Sequence, residues 1–314
     1  MKSLFRRREA GEIAVFHQFQ RPPYGGGNQF LLALRSELEG RGHRVVVNRI
    51  TPRTQASLFN SFNFDFNELR RQRRSSCRMV HRVDGPVGAY RGEDDGIDRR
   101  ILAINRELAD VTVFQSRYSL AAHRAEGLEF KSPRVIMNAS DPRIFHIAAK
   151  PAARAGRKIR IIASSWSSNP NKGAATYEWL DRHLDWSRYD FTFVGCTGAD
   201  FERIRMHRPV GSQALADLLR AHDIYVTASL NDPCSNALIE ALACGLPSLY
   251  ADSGGHPEIV GEAGFAFRSA EEIPTLLERL VMEYEERRTR IVLPPLAAVA
   301  DRYLSAMGLD ADRA

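Results

Sequence analysis

Residues 231–250 read NDPCSNALIEALACGLPSLY. The middle of this stretch is an amphipathic helix: Ala237, Leu238, Ala241 and Leu242 recur at helical spacing and make a stripe to be buried. Ser235 or Asn236 is a good N-cap, and Gly245 with Pro247 is a stop signal. The start is unusual. Asp232, Pro233, Cys234, Ser235 and Asn236 are small, polar or ring-constrained, so the first backbone amides of the helix stay uncovered and an anion can dock there. Glu240 lies about one and a half turns into the helix, off the apolar stripe, and Asp232 stands eight positions earlier, outside it. Two carboxylates beside an anion position suit neutral hydroxyls, such as those of a sugar. A merely well-capped structural helix is the plain alternative.

Outward from this helix, strand-like and helical runs alternate. Before it come strand-like DIYVTAS (223–229), helical LADLLRAH (215–222), strand-like DFTFVG (190–195), a helix over 173–184 and strand-like IRIIASS (159–165). The N-terminal half repeats the pattern, with strands expected at 12–19, 43–50, 57–64, 77–83, 111–115 and 134–138. Its helices are expected at 28–40, 97–109 and 116–128. An aperiodic Ala-, Pro- and Arg-rich segment, AAKPAARAGRK (148–158), reads as a linker. Alternation of this kind implies an α/β protein with parallel sheets covered on both faces. Two such halves make two Rossmann-like domains facing across a cleft, 1–148 and 149–314, with the last helix placed to pack back on the first domain. Ligands of open parallel sheets sit beyond the carboxyl ends of the strands, so the loops there should carry the chemistry.

Composition narrows the class. The 314 residues are 44% hydrophobic and 26% charged, with net charge +6 carried mostly by Arg, densest in LRRQRRSSCR (69–78) and FRRREAG (5–11). These clusters lack interleaved aromatics and a recognisable module, so nucleic acid is not an expected partner. They read as solvated helix faces, or as a patch drawn to an anionic membrane surface. No apolar run of about 18 residues is present. The chain is expected to be cytoplasmic, with possible peripheral association at the inner membrane face. The four cysteines are scattered and are read as reduced thiols. Cys234 precedes a helix start, where a thiolate would be stabilised, but no histidine lies near it in sequence.

Three strand-end loops stand out. RPPYGGGNQF (21–30) brings Gly25, Gly26 and Gly27 to the start of a helix, where amides can approach an oxygen-rich group; a plain flexible loop is the alternative. Its spacing is not GxGxxG, which argues against dinucleotide binding. CRMVHRVDGP (77–86) places His81 and Asp84 at the end of a strand. SSWSSNPNKG (164–173) sets Lys172 before a helix, as a point charge for a phosphate or as a surface lysine.

With these residues in view, the chain resembles the GT-B glycosyltransferases, in particular the retaining glycosyltransferase family 4. The likeness covers nearly the whole chain and is strongest over 159–268. Asp232 and Glu240, with EALACGLP, match the family's acid pair, although the first acid here is Asp rather than Glu. RVIMNASDPRIFH (134–146) resembles the family's interdomain segment, and SGGHPEIVG (253–261) the stretch where Glu258 supports the site. The resemblance implies that Asp232 and the amides of Cys234, Ser235 and Asn236 hold donor sugar and phosphate, and that Glu240 holds the ribose. It implies that Lys172 meets the donor phosphate, beside Trp166 where many relatives carry arginine. It implies that Gly25–Gly27 face the diphosphate and that His81 closes over the donor sugar. The expected activity is transfer of a sugar from a nucleotide-diphosphate donor, a UDP- or GDP-sugar, to a glycan, glycolipid or small molecule with retention of configuration. No cofactor or metal is implied. A nucleotide-sugar epimerase or hydrolase of the same fold, or a silent nucleotide-sugar-binding module, are the alternatives. The resemblance does not indicate the acceptor.

Overall fold

A strand followed by a helical crossover returns the chain to the same end of its sheet, so the alternating pattern folds into parallel ladders. The structure is a computed structural model that describes residues 11–21, 25–92, 95–147 and 156–309. The first half contains β1 (Glu12–Phe16), α1 (Gly26–Gly40), β2 (Arg44–Val47), β3 (Thr54–Asn60) and α2 (Phe66–Gln72). It continues with β4 (Arg78–Val83), α3 (Val87–Arg91), α4 (Ile97–Leu108), β5 (Val111–Phe114), α5 (Arg117–Ala125) and β6 (Pro133–Val135). The six strands form one parallel sheet in the order β2-β1-β3-β4-β5-β6.

The second half opens with β7 (Ile159–Trp166), α6 (Ala174–His183), β8 (Tyr189–Cys196), β9 (Arg205–His207), α7 (Ser212–Ala221) and β10 (Ile224–Thr227). Then come α8 (Asn236–Ala243), β11 (Ser248–Ala251), α9 (His256–Val260) and β12 (Gly264–Phe267). The chain closes with α10 (Ile273–Met282), α11 (Tyr284–Thr289) and α12 (Leu296–Met307). Its parallel sheet runs β12-β11-β10-β7-β8-β9. Two parallel α/β sheets, one in each half, give the two-domain GT-B architecture. In each sheet the winding reverses beside the first strand, between β1 and β3 and between β7 and β10, and such a reversal opens a crevice at the strand ends.

Two strand boundaries differ from the sequence expectation for local reasons. The run expected at 57–64 pairs earlier, as Thr54–Asn60, because Phe59 aligns with Phe16 and the chain then turns through Asn63 at φ 71°. The second strand stops at Val47 because Asn48, at φ 52°, turns out of the ladder and ties its side chain to the backbone of His17. Most of the segment read as a linker, residues 148–155, lies outside the described residues.

Helix α12 belongs to the core of the first domain. Val299, Ala300, Tyr303 and Ala306 are fully or almost fully buried in the cluster that holds Ile13, Phe30 and Leu34. A buried side chain of Tyr or Leu size contributes about 2 kcal/mol, so this helix fastens the end of the second half onto the first. The basic stretch at 69–78 is mostly paired internally: Arg70 grips Glu107, Arg71 Glu68, Arg73 the Glu107 carbonyl and Arg78 the Ala306 carbonyl. Among the described residues, no helix is long and apolar enough to cross a membrane.

Candidate functional site in the interdomain cleft

The start of α8 forms one wall of the cleft. Ser235 is the N-cap, its Oγ accepting from the Leu238 amide at 3.4 Å. Asp232 folds back on the same turn, with Oδ1 accepting from the Cys234 amide at 3.2 Å and Oδ2 from Lys172 Nζ at 2.9 Å. Among the described residues nothing accepts from the amides of Ser235 and Asn236, and both residues line the cavity. Burial alone would lower the Lys172 pKa, but the Asp232 carboxylate outweighs it and the pKa is raised. Burial likewise disfavours the Asp232 carboxylate, yet Lys172 and His256 hold its pKa below the usual range. The pair therefore stays charged. Lys172 ends a single turn, Pro170–Lys172, that Asn169 caps after β7, and it also lies 5.6 Å above the Tyr90 ring.

Glu240 is 8% exposed, and burial pushes its pKa up to about 8. It stands on the cleft side of α8, and with Trp166 at the end of β7 it lines a cavity of about 370 Å³. Gly25, Gly26 and Gly27 line the same cavity from the opposite domain, at the N-terminus of α1. Gly26 has to be glycine here, because a Cβ would lie 2.9 Å from that of Asn236 across the cleft. Two helix starts therefore face one cavity from opposite sides. Among the described residues, Lys172 is the only cationic side chain on that cavity's wall, against the carboxylates of Asp84, Asp232 and Glu240.

Of the two N-terminal candidates on β4, the structure brings Asp84 to the cleft but not His81. Asp84 leaves the strand end, lines the cavity and faces the α8 turn, where Gly85 comes against Pro233. His81 is within β4 rather than after it, and side chains alternate along a strand. Its ring is fully buried, stacked 4.3 Å from Phe59, with Nδ1 3.1 Å from Asn105 Nδ2, and burial pulls its pKa down to about 3. It is a neutral core residue. Cys234 is also buried, and burial drives its thiol pKa up to about 12, overriding the helix start. It contributes an amide rather than a thiolate.

Glu258, which the resemblance implies supports the site, is not among the residues that line the cavity. Its carboxylate crosses between domains and accepts from the Arg117 and Tyr118 amides at 2.9 and 2.7 Å, capping α5. Asn171 and Asn231 cross in the same way, donating to the Tyr90 and Ala89 carbonyls at 2.9 and 3.2 Å. Asn231 holds φ 54° immediately before Asp232. Sequence reasoning passed over Gln115, which follows β5, and Ser229, which follows β10; both line the cavity. A polar residue directly after a parallel strand is the signal that marks such positions.

The stretch 188–283, from β8 to the end of α10, matches a family described as glycosyl transferases group 1. A D-inositol 3-phosphate glycosyltransferase from Streptomyces avermitilis is 32% identical over 83 residues, 26% of this chain and 18% of that protein. The matched segment is thus a small part of that relative's length. Among solved structures, sucrose-phosphate synthase from Thermosynechococcus elongatus aligns with TM-score 0.69 and 16% identity, over 95% of this chain and 94% of the other. The catalytic domain of starch synthase IV from Arabidopsis thaliana, bound to ADP and acarbose, aligns with TM-score 0.69 and 10% identity, over 96% and 99%. HepE from Anabaena, in complex with UDP-glucose, aligns with TM-score 0.64 and 15% identity, over 96% of each chain. These similarities show the GT-B fold.

Proposed function

We propose that this chain is a glycosyltransferase that moves a sugar from a nucleotide-diphosphate donor, a UDP- or GDP-sugar, to an acceptor hydroxyl with retention of configuration. The observation that carries the reading is the α8 wall: uncovered amides at the helix start, Lys172 and Asp232 beside them, and Glu240 one and a half turns along. Apart from Lys172, it falls within the stretch that matches the glycosyl transferases group 1. Relatives of this fold bind UDP-glucose and ADP, which fits a nucleotide lying along the same wall.

In this scheme the leaving diphosphate rests on the Ser235 and Asn236 amides, with the α8 dipole and Lys172 meeting its charge. The Gly25–Gly27 amides supply the second set of donors from across the cleft. Asp232 takes hydroxyls of the transferred sugar and Glu240 those of the ribose. Trp166 forms the apolar side of the nucleotide site. Asp84, rather than His81, is the polar group that the N-terminal domain brings over the sugar. Closure of the domains along the Glu258, Asn171 and Asn231 contacts excludes water from the transfer. The scheme needs no metal and no cofactor. Anionic lipid remains the proposed surface for the unpaired part of the basic region.

The test is a panel of UDP-, GDP-, dTDP- and ADP-sugars, scored by thermal shift and by product formation with and without EDTA. One donor should stabilise the chain and turn over slowly to free sugar in both conditions, and the anomeric configuration of any transfer product reports retention. A panel in which no donor stabilises the chain would sink the proposal.

A further inference from the structure

Behind Asp84 lies a cation that the scheme above does not use. Arg82, in β4, is fully buried. Its Nη1 donates to Asn60 Oδ1 at 2.7 Å and Asp84 Oδ1 at 3.1 Å, and its Nη2 to Asn138 Oδ1 at 3.2 Å. A guanidinium without water costs several kcal/mol unless its donors are met and a counter-charge is close. Among the described residues, Asp84 is its only ion-pair partner. Gln115 Nε2 donates to the same Asp84 oxygen. Oδ1 is therefore pinned from behind, while nothing among the described residues donates to Oδ2. The backbone on either side is fixed too: the Asp84 amide donates to Ser61 Oγ at 2.8 Å, and Ser119 Oγ donates to the Asp84 carbonyl at 2.9 Å.

The network also crosses the domain boundary. Asn138 Nδ2 donates to Gln115 Oε1 at 2.8 Å and to Asn236 Oδ1 at 3.1 Å. Asn236 is the first residue of α8, where the proposed diphosphate sits. Arg82 thus touches Asp84 directly and the start of α8 through the Asn138 amide, the two groups that must be in register for transfer.

Resting on the glycosyltransferase reading, we infer that Arg82 is a positioning residue: it holds Asp84 so that Oδ2 accepts a hydroxyl of the transferred sugar, and through Asn138 it sets that carboxylate against the start of α8. The guanidinium fork fixes both relations at once, which a point charge or a neutral side chain cannot do. A misplacement of about 1 Å at a reacting group costs on the order of 100-fold in rate. Binding of the nucleotide, held by Lys172, Glu240 and α8, should be nearly untouched.

The experiment is a double-mutant cycle of Arg82→Met and Asp84→Asn, with Arg82→Lys and Gln115→Leu alongside. For each, kcat for donor turnover and Kd for the free nucleoside diphosphate are measured. Arg82→Met should lower kcat by about 100-fold with Kd changed by less than about threefold. In the Asp84→Asn background the same substitution should cost little more, because its effect passes through Asp84. Arg82→Lys should fail to restore kcat, and Gln115→Leu should reproduce part of the loss. If Arg82→Met leaves too little folded protein, the neutral double variant and Gln115→Leu carry the comparison. Additive losses, a normal kcat in folded Arg82→Met, or an unchanged kcat in Gln115→Leu would overturn the inference alone. Absence of turnover by the unsubstituted chain would overturn the functional reading, and this inference with it.

Discussion

Replacing Glu240 by Gln separates the chemistry of this carboxyl from its shape. Burial raises its pKa from 4.5 to about 8 in the folded chain, with no opposing contribution among the described residues. The sign follows from proton linkage. Between the two values the folded state keeps a proton that the unfolded chain has lost, so stability falls as pH rises. The contribution is complete below pH 4.5 and is lost through about pH 8. A difference of roughly 3.5 pKa units, at about 1.4 kcal/mol each, is about 5 kcal/mol over the whole window. About 4 kcal/mol of it falls between about pH 5 and about pH 9. Gln is neutral throughout, so Glu240→Gln should match the unsubstituted chain near pH 5 and exceed it by about 4 kcal/mol near pH 9. Urea unfolding of both proteins without nucleotide, at several pH values, measures this directly. A difference that stays constant across that range would refute the argument. A second readout concerns function: ribose hydroxyls donating to the carboxylate favour its charged form. UDP affinity should then rise with pH through about 8 in the unsubstituted chain but not in Glu240→Gln.

His81→Ala should cost about 3 kcal/mol of stability in urea unfolding by emptying a packed aromatic site, with kcat and nucleotide affinity of the folded fraction unchanged; a selective loss of kcat would return His81 to the cleft. Gly254→Ala should cost at least about 2 kcal/mol, since Gly254 has φ +65° and a Cβ would lie 2.3 Å from the Asp232 carbonyl oxygen; the nucleotide-induced thermal shift should shrink with it, and a full shift would show that the Asp232 turn tolerates displacement. Glu258→Gln removes the charge that caps two α5 amides across the cleft and should cost about 1 kcal/mol, with a larger radius of gyration by X-ray scattering; unchanged dimensions would mean the cap does not hold the domains together.

The amino-acid sequence by itself determined the architecture and the position of the site. Alternating runs such as 159–165, 173–184 and 190–195 could bury both faces only as parallel strands with helical crossovers, and the chain folds that way. The small polar residues before α8, the N-cap Ser235 and the positive-φ Gly245 just past the helix end were legible because they act within a few residues of each other. Asp84, Lys172, Asp232 and Glu240 could likewise be placed at strand and helix ends. What the sequence could not decide was which side chains meet. His81 and Asp84 stand three positions apart, and only the strand's alternation and the stacking of Phe59 send one into the core and the other to the cleft. Lys172 and Asp232 are 60 residues apart, and they form an ion pair only because β7 and β10 lie side by side. In the sequence, Arg82 is one more cation in a basic chain. Its burial, and its link through Asn138 to Asn236, depend on two sheets coming together, a long-range packing result that no local pattern encodes.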